Sequence, residues 1–406
     1  MTLSKKTMDI IKSTVPVLEV HGVTITSVFY KKLFATHPEL LHIFNHANQK
    51  QGRQQTALAN MVYTAAKNID RLESILPAVK QVAHKHRGLG VKPEHYPIVG
   101  ENLLESIKEV LGDAATEDII SAWANAYGVI AQVFIDVENE MYVASETQDN
   151  GWDGFKNFEI INKQQESDVI TSFYMKPLDG MQVPVYKAGQ YITVRVYIPG
   201  EEYALNRQYS LSCAPGNDFF RISVKKETEF NPNGKVSTYL HEQLSIGDKI
   251  EISAPAGDFV LNTEESNPVA FISGGVGLTP MMSMLETLAN ERSSRTVKFI
   301  HSARNESIHA FANEAAAITS QLANGSGFYG YEEPENANGQ HHFTGYINEA
   351  FLADKITKET VCYVCGPVSF LRSVVGMLTS LGVSKNNIRY EFFGPAIQFE
   401  SEAVNL

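Results

Sequence analysis

The chain has 406 residues, with 43% hydrophobic and 20% charged residues. This is too long for one compact fold at roughly 100–200 residues per domain, and the composition excludes a disordered or low-complexity chain. Lys+Arg 34 against Asp+Glu 46 leaves a net charge of −12, a field that repels nucleic-acid backbones and anionic membrane surfaces. Only three cysteines occur, which points to a reducing compartment rather than a disulfide framework. Apolar runs such as Pro268–Ile272 and Val361–Val364 are far shorter than the ~18 residues of a bilayer span. A monomeric, cytoplasmic protein with no nucleic-acid partner and no stable membrane insertion is expected.

Residues 1–146 read as an all-α domain. Apolar positions recur at three and four spacing, as in Val23, Val28, Leu33 and Phe34, then Leu58, Met61, Val62 and Ala65. Pro93 and Glu94 open a helical run from Tyr96 to Leu111, and Thr116, Glu117 and Asp118 open another from Ile119 to Tyr142. After the turn-rich Asp149–Gly154, residues 152–262 change to short alternating runs, Tyr191–Ile198 and Phe220–Val224 among them, separated by turn residues. An antiparallel β-barrel is expected there. Residues 267–406 change again to strand then helix: Val269–Ser273 with Pro280–Leu288, then Val297–His301, then Cys362–Val364 with Ser369–Leu381. That alternation predicts an α/β domain with a parallel sheet.

Gly274, Gly275, Val276, Gly277, Leu278, Thr279 and Pro280 lie between an apolar strand and a helix. Glycines there let the backbone approach a pyrophosphate, and the helix N-terminus supplies N–H donors. Pro280 takes the place of the third glycine of the usual dinucleotide fingerprint, and a plain tight turn is the competing reading. The next strand ends in His301-Ser-Ala-Arg304 rather than in an acid placed for a ribose hydroxyl, so NADH and NADPH both stay open. Cys362 and Cys365 have the spacing of a redox or zinc pair, but residues three apart in a strand point to opposite faces. Two small buried residues are expected instead.

Arg207, Gln208, Tyr209 and Ser210 put a cation, an aromatic ring and a hydroxyl on one predicted strand, with Arg207 and Tyr209 on one face. Such a set can pair with a phosphate and stack on a ring system. The order Arg-Xaa-Tyr-Ser, Gly234-Lys235-Val236-Ser237, GGVGLTP and Cys365-Gly-Pro resembles the ferredoxin–NADP reductase superfamily. The resemblance implies FAD held by Tyr191, Arg207 to Ser210 and Gly234 to Ser237. It also implies Phe393, within Phe392-Phe393-Gly394-Pro395, as the aromatic beside the isoalloxazine. The chain runs on past Pro395 to Leu406, a tail that can shift that cover.

Seven histidines lie in the helical half, and none is persuasive as a metal ligand alone. As a set, Phe29-Tyr30, Pro38-Glu-Leu40 leading to Ile43-Phe44, Gln54 with Leu58, and Lys85-His86 before Pro93-Glu-His-Tyr96 resemble a globin. Joined to the reductase pattern, nearly the whole chain resembles the flavohaemoglobins. That resemblance implies haem b, FAD and NADH or NADPH as cofactors, with His86 as the iron ligand and Phe44 wedging the haem. Tyr30, Gln54 and Leu58 are implied on the distal side, and Tyr96 and Glu138 behind the proximal ligand. His84 competes with His86, but residues two apart point about 200° apart around a helix, so only one can face iron. Glu140 competes with Glu138, and a solvated charge on a helix is the alternative reading of either acid.

The implied activity is nitric oxide dioxygenation, converting NO and O₂ to nitrate with electrons from NAD(P)H. An O₂- or NO-binding sensor or store with a haem-reducing module, and a general flavin or quinone reductase, are the competing readings.

Overall fold

The computed structural model describes residues 3–229, 233–336, 339 and 341–394. The helical part contains α1 (Lys5–Ser13), α2 (Val15–Thr36), α3 (His46–Lys50), α4 (Arg53–Lys67), α5 (Leu76–Leu89), α6 (His95–Leu111) and α7 (Glu117–Thr147). Thr116 caps α7 by accepting from the Ile119 N–H, as the sequence signal requires. On α2 the buried stripe is Gly22, Ile25, Thr26, Phe29, Tyr30 and Leu33, whereas Val23 is 50% exposed. The expected stripe through Val23 is therefore out of phase. A Cβ on Gly22 would sit 3.5 Å from that of Ala59, so α4 crosses close at this point, and Thr26 Oγ1 donates to Gln55 O at 2.9 Å. This crossing turns Phe29 and Tyr30 inward beneath α4.

By length and composition α7 is apolar enough to cross a membrane. Between Asp118 and Asp136 it carries no charge, and Ser121, Asn125 and Gln132 break its apolar residues into short runs. Its buried residues include Trp123, Ala126, Phe134 and Glu138, and it packs on α1, α5 and α6.

The second part contains β1 (Phe155–Gln165), β2 (Ile170–Pro177), β3 (Tyr191–Val196), β4 (Leu205–Ser210), β5 (Phe220–Lys225), α8 (Lys235–Glu242) and β6 (Lys249–Ser253). The strands pair antiparallel in the order β4-β3-β6-β1-β2-β5. A bridge between Leu211 and Ile222 brings the two edges together, so the sheet curls into the expected barrel and hides its edge groups. Phe158, Phe173 and Phe220, all with essentially no exposure, fill the interior, each burial contributing about 1.5–3 kcal/mol.

The third part contains β7 (Val269–Gly274), α9 (Leu278–Asn290), β8 (Val297–Ala303), α10 (Ala312–Gln321), β9 (Gly325–Tyr331), β10 (Phe343–Thr344), α11 (Glu349–Lys355), β11 (Val361–Cys365), α12 (Val368–Ser380) and β12 (Ile388–Glu391). All six strands are parallel, in the order β10-β9-β8-β7-β11-β12. Cys362 and Cys365 fall in different cores on opposite faces of β11. Both are free thiols, and burial pushes both up, so the redox-pair reading is rejected and the buried-residue reading holds.

Candidate active site at the junction of three domains

The proximal cluster is built by α5, α6 and α7. His86 Nδ1 lies 2.7 Å from Glu138 Oε1 and 3.3 Å from the Tyr96 hydroxyl. Tyr96 donates to the same carboxylate oxygen at 2.6 Å, and Tyr127 donates to Tyr96 O at 2.6 Å. Burial and the Glu138 charge push the Tyr96 phenol well up, so it stays a neutral donor. The Glu138 side chain is 3% exposed and that of His86 is 32% exposed; the acid is enclosed while the imidazole borders open space. Both contacts use Nδ1, a carboxylate acceptor favours the Nδ1–H tautomer, and Nε2 is left for a metal. Glu140 is exposed, and His84 Nδ1 instead accepts from Gly257 N at 3.3 Å. Of each pair, Glu138 and His86 are the members joined to one another by a hydrogen bond.

Across the pocket, Tyr30 is 6% exposed and rings with Phe29, Phe34 and Phe44 at centroid distances of 4.8, 5.8 and 5.7 Å. Burial raises its phenol, while the amides of Gln54 and Gln49 partly counter the rise. Leu58 packs into the same core. Gln49, on α3, was not picked out from the sequence, where nothing marks it apart from its neighbours. Gln49 Nε2 and Gln55 Oε1 are buried without hydrogen-bond partners, although Gln55 Nε2 donates to Gln49 Oε1 at 3.1 Å. Unpartnered buried amide atoms are costly, and Gln49, whose amide acts on the Tyr30 phenol, lies where a polar ligand beside that phenol would satisfy it. The residues present fit a haem between His86 and Tyr30.

The barrel reaches this pocket directly. Asn206 Nδ2 donates to His42 O at 2.9 Å and Ile43 O at 3.3 Å, holding the corner that carries Phe44. The same strand carries Arg207, Gln208, Tyr209 and Ser210 in register with Val194 to Tyr191. Arg207 Nη1 donates to Asn206 O at 2.7 Å and makes no ion pair among the described residues. Tyr191 is 9% exposed, and its hydroxyl has no partner. Gly234 caps α8, which begins at Lys235 and buries Val236 and Ser237. Ser237 Oγ donates to Gly234 O at 3.0 Å and accepts from Glu227 N at 3.1 Å, and Lys235 pairs with Glu201. A guanidinium without a carboxylate, an unpartnered phenol and a helix N-terminus suit the phosphates and ring of FAD.

In the third part, Gly275 adopts φ 54°, a left-handed turn that favours glycine. A Cβ on Gly277 would fall 2.3 Å from Cys365 O, and one on Gly274 3.0 Å from Phe370. The loop is pressed onto the end of β11, and α9 begins at Leu278, two residues before the expected Pro280. The turn beside a helix N-terminus suits a dinucleotide pyrophosphate. Arg304 Nη2 meets Glu229 Oε1 of the barrel part at 3.0 Å, so it is paired rather than a free solvated charge.

Glu391 ends β12 opposite Cys365. Burial raises it to about 7 against the opposing pull of Lys85, while burial lowers Lys85. Lys85 Nζ donates to Gly394 O at 2.7 Å. Phe392 packs against the sheet core, Phe393 is 44% exposed, and Pro395 lies outside the described residues, as does the tail beyond it.

Three family models match in succession: Globin over residues 27–134, the Oxidoreductase FAD-binding domain over 157–261 and the Oxidoreductase NAD-binding domain over 271–376. Fold and clusters together define an NAD(P)H-dependent oxidoreductase that uses haem and FAD. The flavohemoprotein of Bacillus thuringiensis subsp. konkukian is 52% identical over 98% of this chain and 100% of its own length. Flavohemoprotein A of Dictyostelium discoideum is 47% identical over 97% and 99%. A flavohemoglobin of Malassezia yamatoensis, solved with bound FAD and heme, superposes with a TM-score of 0.85 at 28% identity, covering 97% of this chain and all of that one. The FAD/NAD-binding domain of a nitric oxide dioxygenase from Vibrio cholerae matches at 38% identity and a TM-score of 0.55, over 59% of this chain and 99% of that one. The chain belongs to the flavohemoprotein family.

Proposed function

We propose that the protein is a nitric oxide dioxygenase in which NAD(P)H drives conversion of NO and O₂ to nitrate: 2 NO + 2 O₂ + NAD(P)H give 2 nitrate, NAD(P)⁺ and H⁺. The carrying observation is the hydrogen-bonded set His86, Glu138 and Tyr96, which engages the imidazole through Nδ1, in the same helical part as Tyr30 buried among aromatic rings. The Vibrio cholerae relative, whose name states this activity, supports the reading. We assign residues 1–146 to the haem domain, 152–262 to the FAD domain and 267–406 to the NAD(P)H domain, in a monomeric, cytoplasmic protein without membrane insertion.

When bound, haem supplies one-electron and O₂ chemistry, and FAD divides the electron pair of a nicotinamide hydride into single electrons. His86 would hold the iron through Nε2. Glu138 accepts its Nδ1–H, which makes the imidazole more basic and a stronger donor to iron. Tyr96 donates to the same oxygen and holds the carboxylate in place. Tyr30, kept protonated by burial, donates its hydroxyl hydrogen into the pocket, with Gln54 beside it, and Leu58 and Phe44 exclude water and hold the haem. Arg207 and the N-terminus of α8 bind the FAD phosphates. Tyr191, Tyr209, Gln208, Ser210 and Gly234 to Ser237 would line its ring and ribityl chain, while Phe393, 44% exposed, would cover the ring. Gly274 to Pro280 cradle the nicotinamide dinucleotide.

The test is NO consumption by the haem- and FAD-loaded protein beside its His86→Ala variant. The variant should lose NO consumption while still reducing ferricyanide from NAD(P)H. NO consumption that survives in the variant contradicts the reading.

A further inference from the structure

We infer that Arg87 is a positioning residue that sets the relation between the haem ligand and the flavin-binding strand, and so the rate at which electrons pass from flavin to haem. The inference rests on the assignment of His86 and Tyr191 given above.

Arg87 follows His86 on α5, and it is only 7% exposed. Its guanidinium forms no salt bridge among the described residues. Nη1 donates to Ser145 Oγ at 3.1 Å, while Nη2 donates to Ala254 O at 3.4 Å and more closely to Pro255 O. All three acceptors are neutral. Burying a cation against neutral acceptors costs more than burying an aliphatic side chain there, so simple adhesion does not account for an arginine. What the residue adds is a planar fork that fixes three acceptors from two parts of the molecule at once.

The acceptors bear on the flavin side. Ala254 and Pro255 immediately precede Ala256, whose N–H donates to Tyr191 O at 2.8 Å and whose carbonyl accepts from Tyr191 N at 2.9 Å. Tyr191 carries the unpartnered buried hydroxyl. On the next residue of α5, a Cβ added to Gly88 would lie 3.1 Å from Thr193 Oγ1 and 3.6 Å from the Tyr191 ring. The helix therefore presents bare backbone at Gly88 to the Thr193 and Tyr191 side chains of β3, and the Arg87 fork holds it there. Ser145 Oγ also donates to Trp152 O at 3.2 Å, which ties the connection between α7 and β1 to the same fork. His84 and Lys85 each make one further cross-domain contact.

In each transfer the reduced flavin loses one electron and one ferric haem becomes ferrous, with the flavin proton released to solvent. Arg87 gains and loses nothing; it fixes the gap.

Arg87→Met and Arg87→Lys test this in the loaded protein by stopped-flow, following flavin bleaching by NAD(P)H and haem reduction separately. Flavin bleaching, the KM for NAD(P)H and ferricyanide reduction should stay within about twofold, while haem reduction slows about 10- to 100-fold, the scale of a misplacement near 1 Å. Lysine should not rescue, because one ammonium cannot span the three acceptors. The Soret spectrum of chemically reduced haem should be unchanged. In the unloaded protein, hydrogen exchange at the Ala256 and Gly257 amides should rise about tenfold, the loss of roughly one hydrogen bond's protection. If Arg87→Met loses flavin, Ser145→Ala removes one acceptor alone and should slow haem reduction with full flavin content. Haem reduction at the native rate in Ser145→Ala and in whichever Arg87 variants keep flavin overturns the inference. A failure of the haem assignment shows itself differently, as haem retained by His86→Ala.

Discussion

The two faces of the proposed haem site differ in how much the polypeptide completes by itself. On the proximal face, His86 and Tyr96 both meet Glu138 Oε1 at 2.6–2.7 Å, and Tyr127 holds the Tyr96 main-chain carbonyl at 2.6 Å, with the acid enclosed by three helices. On the distal face, Tyr30 is buried among aromatic rings while Gln49 Nε2 and Gln55 Oε1 find no partner. The difference is chemical. A ligand to iron has to be oriented and made basic before the metal arrives, whereas a distal donor acts on a small molecule that comes and goes. The proximal side spends its polar groups on one another and the distal side keeps them for the ligand.

The largest effect that would break this contrast is at His86, where alanine should abolish haem retention, read as loss of the Soret band in the purified protein. Next is Glu138→Gln, which keeps a hydrogen-bond acceptor but removes the charge. Haem affinity or NO turnover should fall about 10- to 100-fold, the usual cost of altering a ligand's hydrogen-bond partner, and spectroelectrochemistry should show a raised haem potential. Tyr30→Phe removes one hydrogen bond to a ligand with anionic character, worth about 1.5–3 kcal/mol. The O₂ off-rate, measured by ligand displacement, should rise about tenfold or more, and an unchanged off-rate would contradict the distal role.

A smaller effect, and one that sharpens the contrast, is expected at Gln49. Gln49→Leu removes the buried, unpartnered Nε2 while Gln55 Nε2 keeps the Gln49 main-chain carbonyl as acceptor, so the unloaded protein should be stabilised by about 1 kcal/mol in urea unfolding, while O₂ is held less firmly. The same substitution mentality applied to Glu138 has the opposite sign, because that acid is fully engaged.

A pH-dependent effect on stability alone is expected at Glu391, whose carboxyl is raised to about 7. An acid with a raised folded-state pKa binds more protons folded than unfolded. Its contribution to stability is therefore present below its ordinary value and is lost as pH rises through about 7. Glu391→Gln should then gain thermal stability relative to the native protein between pH 5 and pH 8, by roughly 3 kcal/mol at most for a shift of this size. A difference in midpoint that does not change with pH would contradict it.

The sequence made the three-part architecture legible because each part has its own period: helical spacing, alternation, then strand and helix. The glycine loop and the Arg-Xaa-Tyr-Ser strand were legible for the same reason, since backbone geometry and phosphate chemistry dictate residue types locally. The phase of α2 was not, because Gly22 decides it through contact with Ala59, a long-range fact. Glu138 and Glu140 were separable only once α7 was packed against α5. Arg87, Asn206 and Gln49 had no local mark at all, since their partners lie in other elements and their residue types are ordinary on a helix or strand surface.

The most direct measurement of the central claim is nitrate formed per NAD(P)H oxidised by the haem- and FAD-loaded protein, supplied with NO in the presence and absence of O₂. The account predicts O₂-dependent nitrate at about two per NAD(P)H, the ratio that one hydride divided into single electrons supports. NAD(P)H oxidation without nitrate would contradict it.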